Sequence, residues 1–243
     1  MRSITKIFAL VIATILPFVW LIGCEDPDYY TAGLQFELYE FEGYEEGDEY
    51  AVVGYDGYDM NVVIPSVYGG LPVTVIDYMA FKDCVHIESV SIPNSVKRID
   101  NFAFWNCQSL EEIKFPKSLE ALGSNSLYGC NLIKYEVHKG LKYIGNEGNG
   151  QAYMVGITSD YLEVAEISDK CKLIAEGVFS NSSYLKKVYI PQSVLYISGP
   201  LEGWNEYEEL TFYCEVDSKP EGWTSIWNRA GRGEYPVYWG YNG

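Results

Sequence analysis

Cys84, Cys107 and Cys130 stand 23 residues apart, a spacing regular enough to require a chemical or a structural cause. Three thiolates could contribute to a zinc centre, which needs four ligands converging on one ion. Pairs of them could close disulfides. Cys84 with His86 two residues on offers a nucleophile and a base. None of these chemistries is complete in the sequence. His86 and His138 are the only histidines, and nothing beside Cys84 supplies a third, orienting group. Gly-x-Ser-x-Gly, His-Glu-x-x-His and EF-hand loops are all missing. "GNEGNG" (145–150) is rich in glycine but lacks the lysine–serine ending and following helical pattern of a phosphate loop. The acidic stretch "EEGDEYAVVGYDGYD" (45–59) has the oxygens for calcium. Its glycines, Gly47, Gly54 and Gly57, read instead as turns between short strands with the acids facing water.

The cause of the spacing is an internal repeat. Aligned on the cysteines, "SVSIPNSVKRIDNFAFWNCQSLE" (89–111) matches "EIKFPKSLEALGSNSLYGCNLIK" (112–134). The pattern returns in 164–186 and 187–209, in a longer first copy at 61–88, and in a degenerate copy at 135–163. Each copy opens with alternating apolar residues, such as Val90 and Ile92, which suits a short strand with one buried face. Proline follows at Pro65, Pro93, Pro116 and Pro191, ending the ladder because it has no N–H to donate. An aliphatic residue comes next (Ile99, Leu122, Ile144, Ile174, Ile197), then an aromatic or leucine (Phe81, Phe104, Leu127, Phe179). One copy buries little by itself, so successive copies must stack into a solenoid. In the degenerate copy His138 replaces the proline and "GNEGNGQAYMVGITSDY" replaces the aromatic block, which reads as a protruding loop.

Equivalent positions in such a stack recur about every 4.8 Å, so the three cysteines form a column of small buried side chains. The Cα spacing allows a bridge between adjacent rungs, whereas parallel Cβ vectors about 4.8 Å apart exceed the usual disulfide separation. A straight column does not converge on a metal. Cys171 aligns with Val96, Leu119 and Val194 and is a core position too; Cys214 is left open. Twenty-three residues leave little room for a full helix in each coil.

The "IP-x-SV-xx-I" and "AF-xx-C-xx-L" blocks, for instance Ile92-Pro93 with Ser95-Val96 and Ala103-Phe104 with Cys107, resemble those of the BspA-like branch of the leucine-rich repeat proteins. The resemblance covers roughly residues 50–240. It implies a right-handed leucine-rich repeat solenoid of about six repeats, mostly β with short 3-10 or irregular segments. It also implies a bacterial surface protein used in adhesion or host interaction. Arg2, Lys6 and the apolar run from Ile7 to Ile22 resemble a lipoprotein signal, and Leu21-Ile22-Gly23-Cys24 resembles a lipobox. That implies removal of residues 1–23 and lipidation of Cys24, with two or three acyl chains in the bilayer. The expected organisation is a signal at 1–23, a tether at 24–32, lead-in strands at 33–61, repeats at 62–209 and a C-terminal cap at 210–243. Bulky aromatics near the end, Trp204, Trp223, Trp227 and Trp239, suit closure of the open core, with a carbohydrate platform as the sharper alternative.

With 34 acidic against 17 basic side chains, nucleic acid is excluded as a partner by repulsion from phosphate. The outward strand positions Ser91, Lys114, Glu136, Glu166, Tyr189 and Thr211 would pile into one ribbon. Among them Lys114, Glu136, Glu166 and Tyr189 are the candidate ligand-binding residues. No catalytic or metal-binding set and no cofactor is expected. The resulting reading is a non-catalytic, lipid-anchored, outward-facing scaffold in a bacterial envelope that binds an extracellular or host protein or glycan. The alternative is a structural or assembly component of that envelope.

Overall fold

The computed structural model describes residues 29–39, 49–201, 210–230 and 233–242. Cys24, the 1–23 segment and Trp204 lie outside the described residues, as does most of the acidic lead-in. Among the described residues there are strands, turns and irregular segments but no helix.

The chain coils once per repeat. Asn61–Val63, Ser89–Ser91 and Glu112–Lys114 form one parallel ladder, in which Ser89 faces Glu112. Leu71–Ile76, Arg98–Ile99 and Ala121–Leu122 form a second, in which Arg98 faces Ala121. Both pairings advance the chain by one 23-residue copy. The prolines act as their chemistry requires. Ile64 and Ile92 make the last donations of their strands, to the carbonyls of Ser91 and Lys114, immediately before Pro65 and Pro93. The lead-in hairpin, Leu34–Leu38 against Tyr50–Tyr55, lays its second strand parallel to Leu71–Ile76 and covers the N-terminal edge.

A third row of bonds runs along the turn ridge. Phe81, Phe104 and Phe179 donate their N–H groups to Ala103, Ser126 and Leu201 of the following coils, at 2.7–2.9 Å. The ridge turns through the left-handed region twice per coil: φ is 60°, 60° and 53° at Met79, Phe102 and Asn125, and 61°, 61° and 83° at Asp83, Asn106 and Gly129. For a non-glycine residue this costs about 1–2 kcal/mol. The inter-coil bonds and the buried ring that each turn delivers offset that cost. Phe81 and Phe104 stack with centroids 5.0 Å apart and planes 9° from parallel, both fully buried.

Among the described residues the cysteines are buried and unbridged. They are also more than filler. The Cys107 thiol donates to the Phe81 carbonyl and the Cys130 thiol to the Phe104 carbonyl, each at 3.0 Å, so these two thiols answer a carbonyl of the preceding coil. Serine takes this role later, where Ser182 donates to the Leu162 carbonyl at 3.4 Å. Contact with the Cys130 thiol and then burial hold Cys107 far above the usual thiol range. Burial, with help from Asp83, pushes Cys84 up to about 11. Burial takes Cys171 and Cys214 to about 12, and the position left open by the sequence is thereby a core position.

The degenerate copy interrupts the stack. Leu141–Asn146 and Asn149–Ile157 form an antiparallel hairpin, and the second of these pairs in parallel with Leu173–Ile174. Beyond it the ladders resume as Val164–Glu166, Lys187–Ile190, Thr211–Cys214 and Val237–Trp239. The expected loop is therefore a built element, and its anchors explain why copy 164–186 tolerates Ser168 where others have proline. The Ser168 N–H, which proline would lack, donates to the Tyr143 hydroxyl at 3.1 Å, and its Oγ donates to Gln151. At the C-terminal end Trp223 and Trp227 are buried and pack edge-on at 4.9 Å, with Trp239 beside both.

Two outcomes follow. Phe104→Ala should lose about 3–5 kcal/mol in urea unfolding, as expected for a fully buried ring; a loss below 1 kcal/mol would contradict the stacked column. Above the ordinary thiol value of 9.0 the unfolded chain ionises while the buried thiols, raised to about 11 and 12, do not. Stability should therefore fall as pH rises from 9 toward 11, read as a shrinking urea midpoint, and a cysteine-to-alanine triple variant at these three sites should flatten the fall.

Candidate functional site

Past the hairpin, side chains alternate cleanly across the strands. Ala165, Val188, Ile190, Phe212 and Cys214 point inward and are buried. The outward row pairs Glu166 with Tyr189, Tyr189 with Tyr213 and Tyr213 with Tyr238. In a parallel register identical side chains sit one strand spacing apart, near 4.8 Å, which is a natural stacking distance for phenol rings. The rings take it: Tyr189 and Tyr213 lie 4.9 Å apart and Tyr213 and Tyr238 5.2 Å apart, with planes within 22° and 12° of parallel. Tyr241 folds back against Tyr189 and Tyr213 at 5.3 and 5.2 Å. Because the faces are spent on each other, the ladder shows its edges and hydroxyls to solvent, with only Tyr238 exposing most of its ring.

Tyr189, Tyr213 and Tyr241 form the floor of a groove of about 600 Å³, whose walls include His138, Lys139, Lys187 and Glu215. The Lys139 ammonium pairs with the Glu166 carboxylate at its upper end. Both partners are about half exposed, so the pair orients Glu166 more than it stabilises the fold. Ammonium groups, carboxylates and phenols thus alternate along an open trough. Hydrogen-bond donors, acceptors and ring edges line it.

The sequence-derived ribbon is divided by the structure. Glu166 and Tyr189 are brought together in this groove. Lys114 lies in a separate groove of about 980 Å³ over the N-terminal strands, floored by Pro65, Pro93 and Pro116 and walled at one end by Glu147 of the hairpin. Glu136 belongs to neither ladder: it pairs with Tyr143 in the hairpin sheet and accepts a hydrogen bond from Gln151, so its carboxylate serves to seat the hairpin. Thr211 faces Lys187 and not Tyr189, because the step from one strand to the next is 24 residues here. Tyr213 was missed for that reason. Its signal was the alternation of Phe212 and Cys214 on either side of it, which already sends it outward.

The other chemical candidates stay apart. His86 is exposed and lies against Tyr55 with ring centroids 6.0 Å apart, while the Cys84 thiol is turned into the core. Among the described residues no three histidine, cysteine or acidic side chains gather as metal ligands would. Glu176 is raised from its ordinary carboxylate value by burial and then by the nearby Asp100.

A sequence model described as the BspA type leucine rich repeat region matches residues 74–200 in six copies. No curated protein matches the chain. Similar solved structures include a leucine-rich repeat protein of T. pallidum, 22% identical, with a TM-score of 0.46 over 74% of this chain and 83% of that one. A leucine rich cell surface protein of Faecalibacterium prausnitzii A2-165 is 20% identical, with a TM-score of 0.44 over 76% of this chain and 50% of its own. A leucine-rich repeat protein of Bacteroides ovatus is 16% identical, with a TM-score of 0.41 over 86% and 67%.

A double-mutant cycle on Tyr189→Leu and Tyr213→Leu should give a coupling of about 0.5–1.5 kcal/mol in unfolding free energy. Strict additivity would show that the two rings do not stack in solution.

Proposed function

Because this chain belongs to the BspA-type leucine-rich repeat family, we propose that it is a non-catalytic binding scaffold that holds an extracellular protein or glycan in the tyrosine-floored groove. The observation that carries this reading is the row Glu166, Tyr189, Tyr213 and Tyr238, aligned by strand register. A phenol ladder costs little side-chain entropy to present, since its rings are already fixed by one another. Acids and bases interleave along the groove, so it favours ligands that carry both hydrogen-bond donors and acceptors over strongly charged polymers. The binding is placed outside the cell on sequence grounds: the motif ending in Cys24 would be lipidated and tether the solenoid to a bacterial envelope, facing outward.

Screening the purified chain against matrix proteins, mucins and a glycan array should yield a ligand whose affinity falls by about tenfold in Tyr213→Ser, the loss expected when one hydroxyl hydrogen bond and its ring-edge contact are removed. Absence of any binder, or a binder indifferent to Tyr213, would count against the groove. Crosslinking in intact cells that recovered only envelope proteins would move the reading to an assembly role. Metabolic labelling with palmitate should tag the chain, and Cys24→Ser should abolish the tag; an untagged wild-type chain would remove the anchor from the account.

A further inference from the structure

Along the turn ridge each coil hands its N–H groups to the next. Met79, Phe81 and Asp83 donate to the carbonyls of Asn101, Ala103 and Trp105 at 3.4, 2.7 and 2.8 Å. Phe102, Phe104 and Asn106 repeat this toward Ser124, Ser126 and Tyr128 at 3.2, 2.9 and 2.7 Å. Gly177 and Phe179 do so again toward Pro200 and Leu201, both at 2.8 Å. The third coil breaks the rule. The N–H groups of Asn125, Leu127 and Gly129 meet no acceptor among the described residues, and the carbonyls of Glu176 and Val178 across from them meet no donor.

Between the two walls lies a wedge of about 350 Å³. It is closed at one end, where the Glu176 N–H donates to the Leu122 carbonyl at 3.0 Å, and it opens toward Tyr128 and Asn181. The cause is visible in the sequence. Copy 135–163 has no aromatic block, so the turn that would supply this rung is missing, and Tyr135 with Val155 fills only the apolar space behind it.

Unpaired main-chain groups of this kind have a defined partner chemistry. A small anion would satisfy the donors, leave the carbonyls unmet and face Asp160 and Glu176, which line the same wedge. An extended polypeptide carries a donor and an acceptor on each residue and answers both walls, as in strand addition at an open sheet edge. We propose that the wedge between the third coil and the next is a docking site for an extended polypeptide segment of another protein, which supplies the missing rung through main-chain hydrogen bonds. Recognition is then tolerant of peptide sequence, with the polar lip at Asn125, Lys142, Thr158 and Asn181 setting secondary preferences. The site is separate from the tyrosine groove and stands or falls without it.

The test is a phage-displayed library of linear peptides panned against the full chain, followed by residue-level amide exchange with an enriched peptide. In the free protein the amides of Asn125, Leu127 and Gly129 should exchange orders of magnitude faster than those of Phe102, Phe104 and Asn106. The bound peptide should slow Asn125 and Leu127, which line the wedge. N-methylation of alternate peptide bonds in the ligand, or Asn181→Trp at the lip, should weaken binding by at least about tenfold. Thr158→Trp on the opposite lip replaces Asn181→Trp if the latter does not fold. Protection of the three amides in the free protein, a library that yields no binder, binders that protect other residues, or displacement by glycans but not peptides would each overturn the proposal.

Discussion

Everything in this molecule rests on one constraint: a coil that is not a helix and not part of a wide sheet must find its main-chain partners in the coil next to it. A 23-residue period meets it by bringing the same positions into register three times per turn, at two short strands and at the turn ridge. Side-chain columns are the consequence. Val90 comes to face Ile113, Ile99 to face Leu122 and Phe81 to stack on Phe104 because their backbones are already paired. Strained turns at Met79 and Phe102 are tolerated since relaxing either would break the bonds on both sides of it. Two of the thiols follow from the same rule: Cys107 and Cys130 give a second donor to the Phe81 and Phe104 carbonyls, which already accept from the Cys84 and Cys107 N–H groups.

The interruption at the fourth copy shows what happens when the constraint is met by other means. The hairpin is held by a chain of polar contacts from Glu136 through Gln151 to Ser168, and by the Tyr153 hydroxyl donating to the Pro116 carbonyl. It separates the outward strands into two grooves of different character. The N-terminal one is floored by prolines, and the C-terminal one by tyrosines. A continuous solenoid would have offered one uniform ribbon; the inserted hairpin creates two binding environments and a wedge between coils.

Much of this was legible in the residues. The repeat length, the strand ended by proline, the inward cysteines and the aromatic closure at Trp223 and Trp227 each follow from a local pattern with a physical meaning. The hydrogen-bonding role of the thiols was not legible, because it depends on where a carbonyl three residues into the preceding turn comes to point. Nor was the fate of Glu136. Its copy aligns with the others, but the strand Leu141–Asn146 turns back on it and draws it out of the ladder. The tyrosine ladder was half visible. Tyr189 stood out, while Tyr213 was hidden by one extra residue in the following copy, and a one-residue slip sends every side chain to the other face.

The central claim is that residues one copy apart lie one rung apart. Nuclear Overhauser contacts between the ring protons of Phe81 and Phe104, measured on a selectively labelled chain, address it most directly. The account requires strong cross-peaks between these two rings, whose centroids are 5.0 Å apart, together with contacts from the Phe81 amide to Ala103. Rings that show no mutual contact, or that each contact residues unrelated by the repeat, would mean that the chain does not coil in this register.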